Sequence, residues 1–149
     1  MALITREATA IWTGAGKDGH GTLSTQSGTL QETPYSFATR FGDRKGTNPE
    51  ELIAAAHAGC FTMALAFRLS GAGHAPERLQ TKADLSIVQE GGGWRIATVT
   101  LHLSAKVPGL SRDDFLKLAE EAKATCPVSK VLKAEITLQA ELASGTGMS

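Results

Sequence analysis

Cysteine is scarce in this chain: two in 149 residues, Cys60 and Cys126, 66 positions apart. That is no secreted disulfide framework. The N-terminus, MALITREATAIW, also lacks the basic and then apolar regions of a signal peptide, so the expected compartment is a reducing cytoplasm. Net charge is missing too, because 15 basic residues balance 15 acidic ones. A balanced chain offers no electrostatic footprint for nucleic acid or an anionic membrane. No apolar run reaches the ~20 residues that a spanning helix needs. The longest, LIAAAHAGCFTMALAF over Leu52 to Phe67, contains His57 and stops at Arg68. Internal repeats, low-complexity segments and linkers are absent. The length suits one domain, over 1–149, with a frayed tail at 143–149.

The elements follow from periodicity and punctuation. ALITREATAIW reads as a strand, and residues 22–26 and 29–31 as a hairpin around Ser27-Gly28. PYSFATRF, over Pro34 to Phe41, alternates like another short strand, which places Arg40 on a strand. A long helix then has strong start signals: Asn48 as N-cap, Pro49 at the first position and Glu51 three residues after the cap. It runs to about Ser70, before Gly71-Ala72-Gly73. Leu79 to Glu90 and Trp94 to Val107 alternate around three glycines, as in a long hairpin. Ser111 caps a second helix over Arg112 to Ala124, and Cys126-Pro127 interrupts it before one more turn over Val128 to Leu132. Ala134 to Leu142 reads as a final strand. The order predicts an α+β fold with antiparallel sheets packed around long helices. The first helix is apolar nearly all round, and a second copy of the chain would cover what one sheet and one shorter helix cannot. A homodimer is therefore expected.

Why should a thiol lie inside the most apolar helix? Free cysteine is often simple core filling. Of the two, Cys126 has the better claim to reactivity on sequence grounds, because it caps a helix N-terminus, where a thiol pKa falls. Cys60 lies mid-helix, where burial raises a thiol pKa. It becomes a thiolate only if a cation is brought to it from elsewhere.

KGTNPEELIAAAHAGCFTMAL (Lys45 to Leu65) and ATCPVSKVLKAEITL (Ala124 to Leu138) resemble the OsmC/Ohr family of osmotically inducible and organic hydroperoxide resistance proteins. YSFATRFGDRKGTNPEEL and VPGLS are similar to the OsmC branch. The resemblance covers about Ala10 to Leu142. It implies an OsmC-like intertwined dimer and a cysteine peroxidase that prefers organic hydroperoxides. Cys60 would be the peroxidatic thiol and Cys126 the resolving one, with Arg40 holding the thiolate and Glu50 orienting Arg40. No cofactor or metal is implied, only an external dithiol reductant, for which the family points to lipoylated proteins. Ala56, Phe61, Met63 and Ala64 would form an apolar wall for the substrate.

Helix geometry adds one expectation. Glu50 and Cys60 are ten residues apart on one helix, about 15 Å at ~1.5 Å per residue. A glutamate side chain does not span that distance. Glu50 should therefore serve the Cys60 of another subunit, in a composite site. Each helper also has a plainer explanation. Glu50 suits the first turn of any helix, Arg40 can be a solvated charge, and His57 can be a packed, hydrogen-bonded histidine. Three rivals stay open: a zinc site using His57, Cys60 and Cys126, whose spacing matches no usual pattern; a Cys60–His57 hydrolase, which lacks a third orienting group; and a non-enzymatic small-molecule-binding protein on the same scaffold.

Overall fold

The structure, a computed structural model, describes residues 2–143. The expected tail therefore lies outside the described residues beyond Ala143, whose backbone N–H bonds the Ala105 carbonyl at 2.8 Å. The chain divides into two compact units, Met1–Leu52 and Ile53–Ser149.

The first unit holds a three-stranded antiparallel sheet of β1 (Ala8–Thr13), β2 (His20–Thr25) and β3 (Thr33–Tyr35), with β2 central. The rings of Trp12 and Tyr35 meet edge-on, centroids 5.4 Å apart. Gly21 lies beneath them, where a Cβ would stand 2.5 Å from Trp12 and 2.7 Å from Tyr35. Only glycine permits that approach. Residues 29–31 form no strand, so the expected hairpin around Ser27-Gly28 is replaced by a longer connection from β2 to β3.

The stretch read as a strand to Phe41 changes character after Tyr35. Phe37–Phe41 is a short helix, α1. Ser36 and Thr39 form a reciprocal capping box: the Thr39 N–H donates to Ser36 Oγ, and the Ser36 N–H donates to Thr39 Oγ1 at 2.8 Å. This pairing satisfies two otherwise orphaned N–H groups and sets the helix start. Arg40 therefore stands on a helix, not a strand.

Helix α2 (Pro49–Gly71) begins as expected, with the Glu51 N–H donating to Asn48 Oδ1 at 2.8 Å. It continues into the second unit. There β4 (Arg78–Glu90) and β5 (Gly93–Lys106) form the long hairpin, turning through Gly91 and Gly92, both at positive φ. Two consecutive left-handed residues are what a tight primed turn requires. β6 (Glu135–Leu142) pairs with β5 in parallel, so one ladder departs from the antiparallel expectation. The reason lies in the connection: α3 (Arg112–Thr125) and α4 (Pro127–Val131) form a crossover long enough for a parallel return.

The core of this unit joins Phe61, Leu65 and Leu69 of α2, Val99, Leu101 and Leu103 of β5, and Phe115, Ala119 and Ala122 of α3. By length and composition α2 could cross a membrane, yet here it supplies a fully buried stripe to this core. His57, Phe61, Leu65 and Leu69 are buried at four-residue spacing, whereas Met63 and Phe67 are 64% and 73% exposed. Phe61→Ala is expected to lower stability by about 3–5 kcal/mol, through lost burial and a residual cavity. Urea unfolding checks this, and a loss below ~1 kcal/mol would remove Phe61 from the centre of the core.

Candidate active site

In the first unit, α1 and the start of α2 assemble an ion pair. Arg40 Nε lies 2.9 and 3.1 Å from the two Glu50 carboxylate oxygens, and Arg40 Nη2 lies 2.8 Å from Oε2. This fork-to-fork geometry fixes the guanidinium plane as well as its charge. The hydrogen bond that Arg40 donates to Glu50 raises the Arg40 pKa further, against a smaller opposing effect of burial. Asn48 Nδ2 donates to the Thr39 carbonyl at 3.0 Å and ties α1 to the start of α2. The Phe41 ring lies 4.8 Å below the guanidinium carbon. Glu50 thus pairs with Arg40 as well as suiting the first turn, and Arg40, although 38% exposed, is an ion-paired charge. Glu51, the other acid of that turn, accepts instead from Thr47 Oγ1 at 3.1 Å.

In the second unit, the break between α3 and α4 brings Cys126 to Cys60. Both thiols are free. The one favoured by helix-capping logic, Cys126, has no exposed surface, whereas Cys60 is partly exposed. Burial pushes the Cys60 thiol above its ordinary pKa, and a hydrogen bond with Cys126 adds to the effect. A hydrogen bond from the Val128 backbone N–H draws it down. Cys126 is the N-cap residue of α4, as the sequence predicts, but its side chain makes no capping hydrogen bond, and an N–H group at the start of α4 serves Cys60 instead. Pro127, at the first helical position, was the only sequence signal that free amides lay nearby.

His57, one turn before Cys60, is fully buried, and its Nε2 lies 2.8 Å from Ser129 Oγ. Among the described residues its Nδ1 has no hydrogen-bond partner. A neutral ring protonated on Nε2 donates to Ser129 and leaves only a bare acceptor at Nδ1; the other tautomer would bury an orphaned N–H. Burial lowers the His57 pKa. The folded state therefore resists a proton that the unfolded chain accepts near pH 6.5. This contribution is fully present above that pH and is lost as pH falls through the folded value. Urea unfolding at about pH 7.5 and 5.5 should show a larger acid loss for the wild type than for His57→Gln. Equal losses would mean that His57 is not held neutral.

Among the described residues the His57 ring hydrogen-bonds Ser129 rather than Cys60, which matches the packed-histidine explanation over a Cys–His dyad. Among the described residues no group of three or more His, Cys, Asp or Glu side chains is placed to hold a metal ion. The sequence reading missed Val128, Ser129 and also Arg68, which donates from α2 to Glu121 and Thr125 Oγ1 of α3, both at 3.0 Å.

A contacting pair of free cysteines on an α+β scaffold defines a dithiol protein. More narrowly, the chain belongs to the OsmC family, whose model, OsmC-like protein, matches residues 42–141. It is 49% identical over 141 residues to the peroxiredoxin OsmC of Escherichia coli K12, covering 95% of this chain and 99% of that protein. It is 32% identical over 143 residues to an organic hydroperoxide resistance protein of Xanthomonas axonopodis pv. citri, covering 95% of each. The crystal structure of the organic hydroperoxide resistance protein OhrB of Bacillus subtilis is similar, with a TM-score of 0.69 and 25% identity, over 94% of this chain and 100% of that one. The α+β fold is that of the OsmC and Ohr structures.

Proposed function

We propose that the protein is a cytoplasmic thiol-dependent peroxidase that reduces organic hydroperoxides through Cys60 and Cys126. The names of its relatives support a peroxidase-type role. The observation that carries the mechanism is the contact of two free thiols 66 positions apart in the chain, one partly exposed and one buried. An exposed attacking sulfur with a buried second sulfur beside it is the arrangement that a sulfenic acid intermediate needs.

The Cys60 thiolate attacks the terminal oxygen of the hydroperoxide, and the O–O bond breaks. Cys60 becomes a sulfenic acid, and the departing alkoxide takes up a proton to leave as an alcohol. The Cys126 thiol then displaces hydroxide from the sulfenic sulfur, giving a Cys60–Cys126 disulfide and water. An external dithiol reductant, such as a lipoylated protein, reopens the disulfide by exchange and is itself oxidised.

The raised pKa of Cys60 means that attack needs a cation. Arg40, aligned by Glu50, is the one we assign. Glu50 and Cys60 are ten residues apart on one helix, about 15 Å at ~1.5 Å per residue. The pair therefore serves the Cys60 of a second subunit in a homodimer with composite sites. The exposed apolar side chains Met63 and Phe67 supply a surface for that second copy.

Reduced protein and one equivalent of cumene hydroperoxide, mixed without reductant, should release one cumyl alcohol per chain, and continuous turnover should follow addition of dithiothreitol. A small-molecule-binding protein would release none.

A further inference from the structure

Cys126 is held between two polar clamps, and both reach the same helix. On the α3 side, Arg68 of α2 holds Glu121 and Thr125. On the α4 side, His57 of α2 holds Ser129. Cys60 lies on α2 between the two anchors. The α4 clamp has the more consequential position. α4 is only five residues long and its N-cap makes no side-chain hydrogen bond. A helix this short has no stability of its own and takes its place from tertiary contacts. Val128 and Leu132 pack against the core, but apolar contact allows sliding. The His57–Ser129 bond is directional and is made by a fully buried ring. Ser129 is three residues after Cys126 and one after Val128, the two groups that meet the Cys60 sulfur.

We propose that His57 and Ser129 are a positioning pair for the resolving step. Their hydrogen bond sets α4 against α2 so that the Cys126 sulfur captures the sulfenic acid on Cys60 before a second hydroperoxide does. Neither side chain exchanges atoms with substrate. They act through Cys126, and their effect appears in the competition between disulfide formation and over-oxidation to the sulfinic acid. The inference rests on the peroxidase reading above.

The test is intact mass spectrometry after graded additions of cumene hydroperoxide with reductant present. The readout is the concentration at which half of the chains carry a sulfinic acid instead of a disulfide. Ser129→Ala removes the acceptor and should lower that concentration about tenfold, the scale set by losing a buried hydrogen bond and displacing a reacting group. Ser129→Thr keeps the hydroxyl and should stay near wild type. A Ser129→Ala protein with the wild-type threshold would overturn the proposal, as would a Ser129→Thr protein displaced as far as the alanine variant. In either case a wild-type protein that still forms the disulfide leaves the peroxidase reading standing. A wild type that forms neither disulfide nor sulfinic acid would remove that reading itself.

Discussion

Cys60→Ser is expected to lose hydroperoxide turnover by at least about 10⁴-fold, the scale on which a covalent nucleophile is missed. A serine hydroxyl is a poor nucleophile at neutral pH, and neither His57, engaged with Ser129, nor any other residue assigned here would act as its base. Cys126→Ser should behave differently. Its Cys60 still attacks hydroperoxide, so the first equivalent yields one alcohol per chain. The sulfenic acid then has no buried thiol beside it, and a second equivalent of hydroperoxide oxidises it to the sulfinic acid with release of a second alcohol. Alcohol release and protein mass, followed together, separate the two variants. If Cys60→Ser retained turnover while Cys126→Ser lost it, the assigned roles would be reversed. Capping logic favoured that reversal, whereas the burial of Cys126 and the Val128 N–H on Cys60 argue against it.

Arg40→Met should give the second largest loss. An opposite charge near a thiol lowers its pKa by about 1–3 units. Without Arg40, Cys60 keeps the raised pKa that burial imposes. More of it is then thiol at neutral pH, and kcat/KM should fall on the order of 10²-fold. The sign is testable: the loss should shrink as pH rises, because base supplies the thiolate that arginine no longer stabilises. The proposed composite site makes a sharper claim. Cys60→Ser keeps a sound Arg40, and Arg40→Met keeps a sound Cys60. Co-refolded in equal amounts, two nearly inactive proteins should regain about a quarter of wild-type activity, since half of random dimers are mixed and each has one complete site. If Arg40 acted on its own chain's Cys60, no mixture would recover.

Much of this was legible in the sequence, and the failures have physical causes. Helices α2, α3 and α4 were readable because Asn48, Pro49, Ser111 and Pro127 announce their starts. The hairpin of β4 and β5 was readable because thirteen and fourteen residues alternate around a glycine turn. α1 was misread because PYSFATRF alternates as a strand does, and its capping box closes on Thr39 instead of the usual glutamate. The parallel ladder of β6 was invisible because alternation carries no direction. The role of Arg40 came from resemblance, while its bidentate grip on Glu50 needed coordinates. The help given to Cys60 by Val128 left only the indirect signal of Pro127, because a backbone amide looks the same at every residue.

The most direct test of the central claim counts free thiols and measures intact mass. Fully reduced protein is sampled before and after one equivalent of an organic hydroperoxide, with hydrogen peroxide in parallel. Rapid loss of both thiols is predicted, faster with the organic oxidant, at a monomer mass lower by two hydrogen atoms. Two thiols that survive the organic hydroperoxide would contradict it.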